Sequence, residues 1–434
     1  METKYLTRKQ VVIYLFVVFI TAANSSFAQL TVTGEIRPRT EYRHGYKSLI
    51  DTFQSGTVFT EQRTRLSFNY SSEKYKVGVT LQDVRIWGSQ PQLNKTDGLS
   101  SLHEAWGEYF FTKKFSTQFG RQELTYDDER IFGGVSWTQQ GRSHDLMLLK
   151  FSDSTFIAHI GVASNQNSET TVGVAYAVAN NYKEMQFLWL NKKFSKVTAS
   201  LLVVNSGLQS PLSVTSTRYS QTIGPHLEFK KDKIFVSLRG YYQMGTDGAT
   251  KKDINAYFAG ADIAYTIKSK LTLGVGGEIL SGQSQTDTTK SYRDVNHSFN
   301  PLYGTAHKFN GFMDYFYVSN HLNTVGLTDI YFKLKYKVEK WWLGFDVHQF
   351  MTAADVVDTN ILSQQGKYSA MSSSLGTELD MTFAYNLTNG ITFQAGYSHM
   401  MGTETMEAIR GGSKDETNNW AYLMFTFKPQ LFKN

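Results

Sequence analysis

LTVTGEIRPRTEY, residues 30–42, decides the fold, because its side chains alternate in character. Leu30, Val32, Ile36 and Tyr42 fall on one face, and Glu35, Arg37, Arg39 and Glu41 on the other, since successive strand residues point to opposite sides. VFTEQRTRLSFNY, residues 58–70, repeats the design: Leu66, Phe68 and Tyr70 oppose Glu61, Arg63, Arg65, Ser67 and Asn69. From Gln29 onward the chain is a series of such segments, each about ten residues long. A water-soluble barrel would turn the apolar face inward. An outer-membrane barrel turns it to lipid and lines a wet lumen with the charge.

The beginning of the chain favours the membrane. Lys4, Arg8 and Lys9 form a basic start, Val11–Ile20 is an apolar run, and Ser26-Phe27-Ala28 is a small-x-small cleavage site before Gln29. An uncleaved anchor is the alternative, but the apolar run is short for a span. The expected organisation is a cleaved signal peptide over 1–28 and one all-β domain, a transmembrane antiparallel β-barrel, over 29–434. Losing Glu2, Lys4, Arg8 and Lys9 with the signal lowers the formal net charge from +6 to +4. That excess points to no particular partner and gives no reason to expect nucleic acid. The chain has no cysteine, which excludes a lipid-anchored cysteine, disulfides and thiolate chemistry. Its 14% aromatic content with only 6 prolines suits a barrel with aromatic girdles. No later stretch is long and apolar enough for a helical span.

The connections alternate in length. Short polar ones, read as periplasmic turns, fall at 71–74, 112–114, 152–154, 191–196, 231–233, 268–270, 339–340 and 387–390. Longer ones, read as external loops, fall near 43–57, 89–101, 123–142, 205–217, 245–253, 283–324, 352–373 and 402–417. Counting both 171–178 and 183–190 as strands gives about nineteen, an odd number that would separate the termini across the membrane. Assigning 164–182 to one further external loop restores parity and leaves about eighteen strands, with sixteen as the alternative. Pro38 lacks an N–H, so a bulge or a loss of pairing is expected in the first strand.

An arginine facing hydrocarbon costs about 2–4 kcal/mol at the midplane, so the charged faces belong to the lumen. Arg37, Arg39, Arg43, Arg63 and Arg65 then gather on the first two strands. In a later strand Glu104, Trp106 and Glu108 oppose Ala105, Gly107, Tyr109 and Phe111. Near the end, Glu378, Asp380 and Thr382 oppose Leu375, Leu379, Met381, Phe383 and Tyr385, and barrel closure brings Glu378 and Asp380 toward the arginines. Glu278 adds a further acid. Fixed arginines favour anions, and a guanidinium can grip a carboxylate with two hydrogen bonds. The alternative is that they pair with Glu35, Glu41 and Glu61 and stiffen the wall.

Several stretches resemble the alginate-export porin family. They are Leu81-Gln-Asp-Val-Arg85 with Ile86-Trp87-Gly88, His103-Glu-Ala-Trp-Gly-Glu-Tyr109, and Phe119-Gly-Arg-Gln122 with Tyr126-Asp-Asp-Glu-Arg130. Trp137-Thr-Gln-Gln-Gly-Arg142, Pro301-Leu-Tyr-Gly-Thr-Ala-His307 and Leu375-Gly-Thr-Glu-Leu-Asp380 follow in the family's order. The resemblance implies an eighteen-stranded barrel whose electropositive lumen passes an anionic polysaccharide. It adds Arg85, Arg121, Arg130 and Arg142 as channel residues. For Arg85 and Arg121 this needs a bulge or a strand end, because simple alternation leaves their facing ambiguous.

Catalysis finds little support. Ser143-His144-Asp145 holds the right residue types, but consecutive strand residues diverge and cannot form a triad. Asp127-Asp128-Glu129 offers oxygens for calcium or is a solvated loop. His297, His307, His321 and Asp314 lack a metal spacing. The loop at 283–324 carries Tyr292, Phe299, Tyr303, Phe309 and Phe312, too apolar for a solvated tail, and is expected to fold over or into the barrel mouth, or to cap it. The expectation is a cofactor-free outer-membrane channel that passes anionic saccharides by facilitated diffusion and contacts outer-membrane lipid, with a periplasmic partner left open. A general small-solute porin and a plugged barrel with an adhesion or assembly role are the alternatives.

Overall fold

The computed structural model describes residues 28–434 apart from 177, 179–180, 210–215 and 306. The signal expected over 1–28 lies outside these residues except for Ala28. In chain order the strands are β1 (Gln29–His44), β2 (Thr57–Ser71), β3 (Tyr75–Ile86), β4 (Ser100–Phe110), β5 (Phe115–Gln122), β6 (His144–Ser152) and β7 (Phe156–Ser164). Next come β8 (Glu184–Lys193), β9 (Val197–Gln209), β10 (Thr217–Lys231), β11 (Ile234–Gly245), β12 (Asp253–Ile254), β13 (Ala256–Ile267) and β14 (Leu271–Leu280). The last are β15 (Val295–Asn296), β16 (Leu327–Lys337), β17 (Trp341–Met351), β18 (Ser374–Thr388), β19 (Ile391–Gly402), β20 (Asn418–Phe427) and β21 (Gln430–Lys433).

Eighteen of these form a closed antiparallel barrel. The short β12 and β15 pair with each other outside the wall, in parallel. β1 pairs with β2 from Gln29↔Ser71 to Arg43↔Thr57 and with β20 on its other side, which seals the seam. β21 extends the seam toward the start of β1, with Thr31↔Lys433. Among the described residues of 165–183 none lies in a strand, so no nineteenth strand is added, in keeping with parity. Pro38 keeps its place opposite Gln62, but the ladder to β20 skips from Ile36↔Phe427 to Arg39↔Met424. The missing N–H therefore falls on the β20 side.

The alternation has the facing expected of it. Ile36, Tyr42 and Phe68 are exposed on the outside, while Glu35, Arg37, Arg39, Glu41 and Arg63 are buried inside. Leu375 departs from its expected outward face. A register shift between Phe350 and Met351 on the neighbouring strand, beside Gly376 at φ 129°, turns it inward, where it is fully buried.

The lumen is not charged all round. The wall from β6 to β13 presents buried Leu146, Met185, Phe187, Leu202, Val204 and Phe258. Leu124, Tyr126, Ile131 and Phe132 of the 123–143 loop pack on them, with Phe299 of the 281–326 loop. Each fully buried side chain of this size contributes about 1.5–3 kcal/mol. A hydrophobic core thus sits inside the barrel and draws two external loops into it.

Candidate channel constriction

The β1–β2 arginines hold the first of these loops. Arg37 donates through Nη1 to the Ser136 carbonyl at 2.7 Å and through Nη2 to those of Thr138 at 3.0 Å and Trp137 at 3.1 Å. Its Nε reaches Gln139 Oε1 at 3.2 Å. Arg39 donates to the Trp137 carbonyl at 2.6 Å, pairs with Glu41 at 2.7 Å and Glu61 at 3.2 Å, and stands 4.1 Å over the Trp137 ring. Arg63 Nε donates to Glu35 at 2.8 Å, with its Nη1 3.4 Å from the carbonyls of Ser136, Thr138 and Gln139. Arg65 reaches the Gln140 carbonyl at 3.2 Å and Gln82 at 2.8 Å. Arg43 binds Glu41 at 2.9 Å and lies over Tyr46 and Phe59. Hydrogen bonds from a charged donor contribute about 1.5–3 kcal/mol each, so this row clamps residues 136–140 to the wall. The pairing with Glu35, Glu41 and Glu61 is also present, so the arginines do both.

Arg37 differs from its neighbours. It is buried, and among the described residues no carboxylate lies within ion-pair distance of it. Carbonyl oxygens satisfy its donors, and Glu35, which is paired with Arg63, acts on its charge only from beyond ion-pair distance.

The second loop is anchored on β18, three strands from β1 through β19 and β20. Glu378 Oε1 accepts the Met313 N–H at 2.7 Å, and the Met313 carbonyl accepts from Lys47 N at 2.9 Å. Gly311, at φ 77°, lets the backbone pass Glu378, where a Cβ would come within 2.5 Å of Oε1. Asn310 donates to Glu278 at 2.6 Å and Asp329 at 3.2 Å. Arg130 pairs with Glu278 and lies 3.7 Å over Phe309. The Tyr46 hydroxyl donates to Asp314, and burial together with that carboxylate raises the phenol well above its ordinary pKa. The two loops also meet each other: Gly133 N donates to the Tyr303 carbonyl at 2.9 Å, Thr305 N to that of Glu129 at 2.9 Å, and Arg142 to that of Gly304 at 2.8 Å. Residues 303–305 and 309–314 of the 283–324 segment therefore fold into the mouth.

Eleven of the thirteen expected channel residues lie on the lumen side: Arg37, Arg39, Arg43, Arg63, Arg65, Arg130, Arg142, Glu104, Glu108, Glu378 and Asp380. Arg85 and Arg121 do not. β3 alternates buried Gln82 with exposed Leu81, which places Arg85 outward beside Asp83 at 2.6 Å and Asp97 at 3.0 Å. β5 buries Ser116, Gln118 and Gln122, so Arg121 faces out and pairs with exposed Asp145 at 3.0 Å. No bulge rescues either one. Glu378 and Asp380 do not pair with the β1–β2 arginines either: Asp380 accepts from Ser398, and Glu378 holds the loop. Glu108 binds Lys150 at 2.9 Å and Ser116 at 2.7 Å, and Glu104 accepts the Glu123 N–H at 3.3 Å.

The 127–129 carboxylates diverge. Asp127 accepts from Trp189 Nε1 at 3.1 Å, Asp128 faces Arg239 at 3.3 Å, and Glu129 faces Lys308 at 3.4 Å. Sequence reasoning missed the carbonyl row at 136–140, whose partners lie about a hundred residues away and leave no local signal. Beneath the loops a space of about 330 Å³ is lined by Asp127, Asp128, Arg239, Lys308, Tyr331 and Lys333. A second, of about 400 Å³, extends it toward Lys335, Trp342 and Asp346.

A family model described as alginate export matches residues 28–419. Among solved structures, the chain is similar to OccAB4 of Acinetobacter baumannii (TM-score 0.61, 11% identity, 95% of this chain and 100% of that one). It is also similar to OccK9 (OpdG) of Pseudomonas aeruginosa (TM-score 0.61, 10% identity, 93% and 98%). OccD3 (OpdP) of the same organism gives a TM-score of 0.59 at 13% identity over 93% and 92%. At such identities the likeness shows the fold alone. No curated protein matches the chain by sequence.

Proposed function

The chain belongs to the alginate-export family and is an outer-membrane β-barrel channel, and from that premise we propose that it passes anionic saccharides by facilitated diffusion. The observation that carries the reading is Arg37, a buried guanidinium bound to neutral oxygens only. Dipoles satisfy its hydrogens but do not neutralise it, so the constriction keeps a positive field in a poorly screened space. Arg142 and Arg410 add to it: Arg142 donates to the Gly304 carbonyl, and Arg410 to the Asn320 carbonyl and His321 Nδ1. Neighbouring Glu35, Glu41 and Glu61 limit the depth of the well, and a conduit must release what it admits.

One observation favours a second reading. Where the loops meet, Phe132, Met313 and Tyr315 are completely buried, as expected of a plugged barrel. Current through single molecules in a planar bilayer under a salt gradient separates the two. An anion-selective current blocked by oligouronates supports the conduit; unblocked conductance supports a general porin; a folded but silent barrel supports the plug.

A further inference from the structure

The periplasmic mouth, ringed by the short turns, has a charge pattern that the constriction does not explain. Alternation turns Lys76 of β3, Lys193 of β8, Lys230 of β10, and Lys335 and Lys337 of β16 toward the lumen. Their cross-strand partners fix this. Lys76 stands opposite Glu108, Lys193 opposite Thr198, Lys230 opposite Phe235, and Lys337 opposite Trp342, all on the inner face. None of these five lysines has an ion-pair partner among the described residues. Acids of the inner wall are engaged by other cations: Glu108 by Lys150, Asp346 by Lys333, Asp262 by Arg239, and Glu35 by Arg63, while Glu73, Asp232 and Glu339 lie in the turns themselves. Glu228 lies 3.9 Å from His226. Lys335 and Lys76 rest on aromatic rings, Trp342 at 4.2 Å and Phe110 at 5.1 Å, which keeps them extended along the wall.

We propose that this mouth is a capture site for a carboxylated polysaccharide arriving from the periplasmic side, separate from the arginine constriction above it. The proposal rests on the anionic-saccharide reading and adds where and from which side the chain first binds. Lipid headgroups are the other polyanionic surface within reach of a barrel rim. The five inward lysines face away from them, which commits the site to a ligand in the lumen. Lys335 and Lys337, two residues apart on one strand face, are about 7 Å apart, and the other three lie on separate strands. Such a spread suits an extended polymer with a charge on every unit better than a single small anion. Flexible ammonium groups hold loosely and exchange quickly, whereas the buried guanidinium row is fixed.

The test uses a hexameric oligouronate and the variant K76Q/K193Q/K230Q/K335Q/K337Q, with the heat-modifiable mobility of the folded barrel as the check on assembly. Binding of the fluorescently labelled hexamer to the detergent-folded protein is read by anisotropy at about 0.1 M and 1 M salt, where the screening length falls from about 10 Å to 3 Å. The wild type should bind at low salt and release at high salt, and the variant should bind at least about tenfold more weakly. In bilayers, block should start about tenfold faster from the periplasmic side, with the dwell time of each block unchanged in the variant. A variant that binds as tightly as the wild type, or block equally fast from both sides, overturns capture. Tight, lysine-dependent binding without any block would leave capture standing and remove the conduit.

Discussion

Trp137 lies flat on His307, with ring centroids 4.1 Å apart and planes 10° from parallel, and the Arg39 guanidinium covers its other face at 4.1 Å. Phe312 continues the stack beyond His307 at 5.0 Å. One column thus joins the wall, the 123–143 loop and the 281–326 loop.

Trp137→Ala breaks this column at its middle. Truncating a fully buried Trp costs about 3–5 kcal/mol, and half-buried Trp137 should lose less than that but more than the stacking alone. The two loops should separate, single-channel conductance should rise, and protease cleavage within 300–315 should become faster. Unchanged conductance and cleavage would mean that the loops are held without the stack.

Arg37 has two separable roles, charge and grip. Arg37→Lys keeps the charge but cannot reproduce the fork that reaches Ser136, Trp137 and Thr138. It should preserve anion preference while exposing residues 136–140 to proteolysis. Arg37→Gln should lose both, with the anion-to-cation permeability ratio falling about twofold or more. Equal selectivity in the two variants would separate the charge of Arg37 from ion preference.

His321, in the external loop, accepts from Arg410 through Nδ1 at 2.9 Å and faces the Gly326 carbonyl through Nε2 at 3.0 Å. Burial and the adjacent Arg410 push its pKa down to about 3 from the ordinary 6.5. Between these values the unfolded segment binds a proton that the docked segment refuses. Stability is therefore complete above about pH 6.5 and is lost as pH falls through that window. At pH 4.5 the loss is about 2–3 kcal/mol. Hydrogen exchange over 316–326 should be faster at pH 4.5 than at pH 7, and His321→Gln should remove the difference. An acid effect that survives the substitution would place its origin elsewhere.

How far the sequence could be read follows from where each signal lives. Facing was legible at Glu35, Arg37, Arg39 and Arg63 because alternation is local and β1–β2 runs without a shift over these residues. It failed at Leu375, where the shift beside Gly376 resets the count. For Arg85 and Arg121 motif likeness points to the channel, but strand alternation in the structure sends both outward. Parity assigns 164–182 to a loop without any local cue, and from residue 165 on its described residues lie in no strand. The apolar half of the lumen was hidden, since Phe187 and Phe258 look the same whether a strand's oily face meets lipid or an inserted loop. The grip of Arg37 on carbonyls was hidden too, because backbone acceptors have no sequence signature.

Glu378 offers a clean test of the second loop's anchor. Glu378→Ala leaves the buried Met313 N–H without its acceptor, a loss of about 1–3 kcal/mol, whereas Glu378→Gln keeps an oxygen in place. The Ala variant should show brief, frequent openings in single-channel records, and the Gln variant should resemble the wild type. Identical gating in both would mean that Met313 is held by its neighbours.

The central claim, a channel for anionic saccharides, is tested most directly by single-channel current in a planar bilayer under a salt gradient, before and after a hexameric oligouronate is added. The account predicts a reversal potential on the anion side and reversible block by the oligomer, both weakened in Arg37→Gln. A cation-side or zero reversal potential with no block would contradict it.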